Sequence, residues 1–249
     1  MYYRNALTVR SGIALKQQTE KQTWGSFMII RDSLAKQVYT QLKDIIVLQE
    51  TDGFRMGDRI NENDIAEMFE CSITPVRESL NMLRHDGLVV GKSYRSSNIV
   101  SFSRKEVDDL FELRSCLEQF AMEQSVKAFT EEDVAKLREA NEKYRAAYLQ
   151  FEETGIVEFN KEFHAQLLSK SHNEALRSEL DRITERIAMI RSPIARKRKE
   201  TGDQEYLLKP VREHAAIVEA LEKKDIEGAK KALEAHIDRI CADSRECYI

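Results

Sequence analysis

The sequence is poor in residues that interrupt regular structure, with 3 prolines and 9 glycines in 249 residues. That scarcity excludes collagen-like and loop-dominated architectures and leaves room for long helices. The 4 cysteines, Cys71, Cys116, Cys241 and Cys247, contain no C-x-x-C pair. They are too few to frame a disulfide scaffold, and they suit a reducing compartment. No apolar run approaches the roughly 18 residues needed to cross a bilayer, and no apolar segment precedes a small-residue cleavage site near the N-terminus. A cytoplasmic protein with no membrane partner is expected. Excess positive charge is also missing: 39 Lys and Arg stand against 43 Asp and Glu, and the pI is near 5.9. Any surface for nucleic acid must therefore be local.

What is present is amphipathic. With 42% hydrophobic and 33% charged residues, the chain reads as mainly α, and its length suits two domains. Residues 1–26 carry Arg4, Arg10, Lys16 and Lys21 against Glu20 and show no periodicity, which predicts a flexible basic arm. From Asp32, Leu34, Val38, Leu42, Ile45 and Ile46 recur at helical spacing. After the turn-rich Thr51-Asp52-Gly53, Ile60 to Glu70 predicts a short helix with Ile65, Met68 and Phe69 inward. A third helix starts after Cys71: Ser72 or Thr74 can cap it, Pro75 suits its first turn, and Val76, Leu80 and Leu83 make its buried stripe. Gly87 ends it, and Leu88–Val90 and Asn98–Phe102 read as two strands around a polar loop. Helix, helix, turn, helix and hairpin make a winged helix-turn-helix, placed at residues 27–102.

Ser103 followed three residues later by Glu106 is a capping box, and it opens a second domain at 103–249. Helices are expected near 104–127, 131–152, 156–170, 174–192, 204–224 and 226–245, an antiparallel bundle of about six. Thr130, Asn173 and Asp225 stand at N-cap positions, Gly155 and Gly202 fall in breaks, and Pro210 starts or kinks the fifth helix. The run Arg196-Lys197-Arg198-Lys199 reads as a solvated helix end.

The stretch from Asn61 to Phe69, then Ser72-Ile73-Thr74-Pro75-Val76-Arg77-Glu78-Ser79-Leu80 and Asp86-Gly87-Leu88-Val89, resembles the GntR family of transcriptional regulators. That family shows E-x-x-L-A, then S-x-T-P-V-R-E-A-L-x-x-L, then E-G-L-V. The resemblance implies a double-stranded DNA operator as partner. The physical logic agrees, since a recognition helix presents its N-terminal residues to the major groove and docks its opposite stripe on the core. Ser72 and Thr74 can bond phosphate, Arg77 can reach guanine or phosphate, and Lys92 and Arg95 can extend from the wing. Asn63 and Ile73 replace an arginine of E-R-E-L-A and one of S-R-T-P-V, so an operator is not transferable from relatives. Residues 31–101 carry nine Lys and Arg against eleven Asp and Glu, which makes phosphate attraction depend on where the charges lie.

In the second domain, Asn160 and His164 are i and i+4 on one helix face. His214 falls in the stripe Val211, His214, Val218, Leu221, and His236 falls in Leu233, His236, Ile240. One histidine on an apolar face is ordinarily a satisfied core residue. Three of the chain's five, joined by an amide oxygen, suit a divalent metal, with Zn²⁺ or Ni²⁺ favoured and Mn²⁺ or Fe²⁺ left open. His85 and His172 lie outside the set. The segments Glu112-Leu113-Arg114-x-x-Leu117-Glu118, Phe159-Asn160-x-x-Phe163-His164, Glu213-His214-x-x-Ile217 and Ala235-His236 resemble the FCD ligand-binding domain of one GntR subfamily, the FadR-like one. In many members an Asp or Asn and three His at these places hold a metal. Arg114 lies in an apolar stripe, and a buried arginine needs a carboxylate, either from an effector or from an internal Glu.

The expectation is a homodimeric regulator, a repressor, whose operator affinity responds to a small carboxylate-containing effector at the metal. A metalloenzyme is the main competitor, but H-E-x-x-H, a phosphate-binding glycine loop and a nucleophile motif are all missing. A binding protein with weakened DNA affinity is the third reading, prompted by Asn63 and Ile73.

Overall fold

The computed structural model describes residues 33–49, 51–91 and 97–245. Its first helix, α1 (Leu34–Leu48), starts where Ser33 Oγ accepts the Lys36 N–H at 3.2 Å, and buries Val38, Leu42 and Ile46 along one face. α2 (Glu62–Met68) is capped by Asn61, whose side-chain oxygen accepts the Asn63 N–H at 3.0 Å. α3 (Ile73–His85) buries Val76, Leu80 and Leu83. Gly87 then reverses the chain at φ +74, a left-handed conformation that favours glycine. β1 (Val89–Val90) pairs antiparallel with β2 (Asn98–Ile99), Val89 facing Ile99, and Arg59 bridges to Asn98. Val38, Leu42, Ile65, Leu80, Leu83 and Ile99 form their shared core. This is a winged helix-turn-helix. The wing tip and the expected basic arm at 1–26 lie outside the described residues.

α4 (Arg104–Ser125) opens on the Ser103–Glu106 capping box. α5 (Glu131–Gln150) opens on a second one, Thr130 with Asp133. α6 (Glu153–Leu167), α7 (Glu174–Glu200), α8 (Gln204–Glu222) and α9 (Ile226–Arg245) follow. Asn173 Oδ1 accepts the Leu176 N–H at 3.0 Å, and Asp225 Oδ1 accepts the Gly228 N–H at 2.9 Å. The six helices enclose Phe111, Met122, Leu137, Phe163, Ile217 and Ile237, all buried. α9 packs on both α4 and α8, and α5 on both α6 and α8.

Three local expectations change. Met68 is 46% exposed: Glu62, Ile65 and Phe69 centre the buried stripe of α2 on the other side of Ile65. Gly155 lies in the first turn of α6 rather than in a break. The largest change concerns α7, which runs through Pro193 to Glu200 instead of stopping at 192.

A proline inside a helix offers no N–H to the carbonyl four residues earlier. Here that carbonyl belongs to Met189, and it accepts from Gln49 Nε2 at 2.5 Å. Gln49 is the left-handed C-cap of α1 at φ 53. It is 3% exposed, and its side-chain oxygen accepts the Met56 N–H at 2.9 Å. The last carbonyls of α1, which a helix end leaves unpaired, are met from α7 as well. Ser192 Oγ lies 2.9 Å from both Val47 O and Ala188 O. Arg196 donates to Leu48 O at 2.6 Å and to Gln49 O at 3.2 Å. The basic run at 196–199 therefore contributes a cap for the DNA-reading half, and Arg196 is not a solvated helix end. Met189 itself is fully buried in the winged-helix core.

Candidate metal centre and nucleic-acid interface

Ser72, Thr74 and Arg77 are all exposed on the α3 side opposite its buried stripe. Ser72 occupies the N-cap but makes no side-chain capping bond. Arg77 is half-exposed, and its Nε donates to Glu62 Oε2 at 2.8 Å. Glu62 is buried at the start of α2, so it aims the guanidinium from the helix behind. Sequence reasoning did not assign that positioning role, although Glu62 stands within the quoted motif. Lys92 and Arg95 lie outside the described residues.

In the bundle, α6, α8 and α9 each bring one buried histidine to one point. His164, His214 and His236 each offer a ring nitrogen within 4.8 Å of the others. Carboxylates behind two of them orient the rings. His164 Nδ1 meets Glu118 Oε2 at 2.7 Å, and His236 Nδ1 meets Glu213 Oε2 at 2.8 Å. With both Nδ1 atoms donating to carboxylates, the Nε2 lone pairs are left to face inward, as outer partners of metal-ligating histidines leave them. His214 is positioned by stacking: Phe163 lies parallel at 3.9 Å between centroids and Tyr144 at 5.2 Å.

Burial pushes His214 and His236 well below the ordinary histidine range, and the neighbouring histidines and Arg114 add to this. Burial lowers His164 too, against the opposing pull of Glu118. All three are thus neutral, the form that ligates. Burial would raise Glu118, but the charge of Arg114 and the hydrogen bonds from His164 and Arg114 outweigh it and hold the carboxyl well below its usual range.

The donor set fits a divalent ion. His214 Nε2 and His236 Nε2 are 3.3 Å apart, and two nitrogens each about 2.0–2.1 Å from one tetrahedral zinc stand about 3.3–3.4 Å apart. Asn160 Oδ1 is buried with no hydrogen-bond partner, a costly state for an amide oxygen that a metal bond would relieve. Arg114, 1% exposed, binds Glu118 Oε1 at 2.5 Å and points Nη2 at His164 Nε2, 2.9 Å away. Its carboxylate partner is thus internal. That same contact covers the lone pair with which His164 would ligate. Glu118 and Glu213 had been visible only as letters beside Arg114 and His214 in the family pattern.

A pocket of about 640 Å³, its open mouth included, adjoins this centre, lined by Arg114, Asn160, Tyr144 and Arg191 and, at its other side, by Leu48 and Ser192. None of the three histidines lines it; its wall runs from Arg114, which contacts His164, and Asn160 to Leu48 and Ser192 at the capped end of α1.

A two-helix reader with an exposed recognition helix, carried on a helical bundle with a buried histidine cluster, defines a helix-turn-helix transcription regulator. Residues 34–99 match the model of the gntR family of bacterial regulatory proteins, and residues 109–239 match the FCD domain. The chain is 34% identical over 208 residues to the HTH-type transcriptional regulator YdhC of Bacillus subtilis strain 168, covering 82% of this chain and 88% of that one. It is 32% identical over 144 residues to the Nta operon transcriptional regulator of Aminobacter aminovorans, covering 55% and 65%. The E. coli McbR/YncC structure shares the fold with a TM-score of 0.73 at 23% identity, covering 88% of this chain and 100% of that one. The chain belongs to the GntR family, in the group that carries an FCD domain. It is a DNA-binding transcriptional regulator and not an enzyme. Among the described residues, no helix is long and apolar enough to cross a membrane.

Proposed function

We propose that operator affinity in this regulator is set by a small organic acid bound at a divalent metal, Zn²⁺ or Ni²⁺, held by Asn160, His164, His214 and His236. The observation that carries the reading is the convergence of three neutral, buried ring nitrogens, with the unpartnered amide oxygen of Asn160, one helical turn before His164, in the wall of the adjoining pocket. When bound, the metal supplies a Lewis-acidic anchor for carboxylate or hydroxyl oxygens. Arg114 is the effector contact: a ligand carboxylate can accept the Nη2 hydrogen that now points at His164, while Glu118 keeps the guanidinium oriented. A reader at 27–102, preceded by the segment 1–26, and a sensing and dimerising bundle at 103–249 divide the labour, in a cytoplasmic homodimer acting as a repressor. Ser72, Thr74, Arg77, Lys92 and Arg95 meet the DNA.

Coupling between the halves has a physical route. Ser192 both lines the pocket and reaches the end of α1, and Leu48, whose carbonyl Arg196 caps, lines it too. A ligand that favours one seating of α7 against α1 shifts the reader by its differential affinity for the two seatings.

The test is fluorescence anisotropy with the protein's own upstream DNA, using metal-loaded and chelated protein across a panel of organic acids. Specific binding that Arg77→Ala weakens by about 1–3 kcal/mol, and that an acid changes only in the metal-loaded form, is the expected outcome. An equal response of chelated and loaded protein to every acid overturns the metal-dependent mechanism.

A further inference from the structure

The charges lining the pocket do not balance. Arg114 is matched by Glu118, and Glu153, which also lines the pocket, lies 3.7 Å from Arg196. Arg191, on α7, is mostly buried and makes no ion pair with any carboxylate among the described residues. Asp243, an acid that bears on it, is held by Arg239. Its immediate company is phenolic. Tyr144 and Tyr148 line the same pocket as Arg191 and share a hydrogen bond at 3.1 Å between their hydroxyls. Tyr206 packs on this pair, and its buried hydroxyl has no hydrogen-bond partner.

A guanidinium buried without a carboxylate is expensive unless something else supplies the charge. Neutral phenols supply none, and they present hydrogen-bond donors of their own. Arginine's planar fork matches a carboxylate with two parallel bonds. The position is distinct from that of Arg114, whose outward donor faces His164.

We infer that Arg191, with the Tyr144 hydroxyl, forms a second anion subsite, so that the pocket takes a small organic acid with two acidic groups. One group sits at the histidines and Arg114, the other at Arg191. The inference rests on the proposed function, in which this pocket is the effector site, and it narrows the effector from acids in general to dianions. Placing a cation at each end lets the site reject a monoacid of equal length, which leaves Arg191 buried and unmatched.

Calorimetric titration of the zinc-loaded protein separates the possibilities, with succinate, malate and glutarate compared with butanoate and pentanoate. At least one diacid is expected to bind tenfold or more tightly than the monoacid of its chain length. Arg191→Gln should weaken that diacid about 10- to 100-fold, the effect of one charge-assisted hydrogen-bonded contact. The same change should move the monoacids less than about twofold. Arg191→Lys, which keeps the charge, should recover part of the loss, and zinc content should be unchanged in both variants. Monoacids binding as tightly as diacids, or Arg191→Gln weakening both alike, overturns the second subsite while the effector pocket stands. Failure of every acid to bind the zinc-loaded protein overturns the pocket's role as an effector site, and the subsite with it.

Discussion

Replacing Gln49 with alanine should destabilise the protein by about 1–3 kcal/mol, because it strands the buried Met189 carbonyl, which Pro193 has already deprived of its helical donor. Pro193→Ala restores an N–H four residues beyond Met189, so in that background the Gln49→Ala change leaves this carbonyl with a donor. The cost that passes through the carbonyl should then vanish, and the two substitutions should couple by about 1–3 kcal/mol in a double-mutant cycle. Any separate gain in helix propensity from Pro193→Ala cancels within the cycle. Urea unfolding of the four proteins, followed by circular dichroism, measures the coupling. Additivity within about 0.5 kcal/mol would refute the argument that proline and glutamine act through one carbonyl.

Met189→Ala should cost about 2–5 kcal/mol, the range for truncating a fully buried methionine, and should loosen amide-exchange protection in α1 and α3 although residue 189 lies outside the reader. Loss confined to the bundle helices would contradict the shared core. Arg77→Ala should weaken operator binding by about 1–3 kcal/mol and, if the guanidinium meets phosphate, lower the salt slope by about one, as read by anisotropy at several ionic strengths. Unchanged affinity would remove Arg77 from the interface. Glu118→Gln should lower zinc affinity about 10- to 100-fold in a chelator competition, since it weakens the partner that orients His164, and an unchanged affinity would discard that role. Burial and the hydrogen bond to Asp86 push the Tyr39 hydroxyl up to about 12 from an ordinary 10. A raised value favours the protonated form in the fold, so stability is intact below pH 10 and falls as pH rises through 10 to 12. The wild type should lose about 2–3 kcal/mol over that window relative to Tyr39→Phe, and parallel pH profiles for the two proteins would show that Tyr39 contributes nothing.

Much of the architecture was legible because it is local. Val76, Leu80 and Leu83 carry their helix in their spacing, and Ser103, Thr130, Asn173 and Asp225 mark helix starts with side chains that bond within three residues. The three histidines could be placed on inward faces by the same periodicity. Periodicity cannot say which face meets which, and the departures at Met68 and Pro193 come from that gap. Proline at 193 reads locally as a stop, and only a donor from a distant part of the chain lets the helix continue. Met68 falls just beyond a stripe whose centre is set by Glu62, a charged residue that no hydrophobic pattern would count as buried. The carboxylates behind His164 and His236 are likewise matters of long-range juxtaposition, and Arg114 could be seen to need a partner without the sequence saying that Glu118 was close enough to serve.

The seam between reader and bundle does not fall where the chain passes from one to the other. A graft that cuts this reader away at Ser103 and joins it to another bundle would leave it with a methionine-shaped hole in its core and a helix end stripped of its caps. The natural unit of exchange is the reader together with the stretch of α7 from Met189 to Arg196, two pieces far apart in the gene. A substitution at Gln49 should therefore be tolerated more readily where Pro193 is replaced as well, and regulators engineered by swapping DNA-reading modules should carry both pieces or neither.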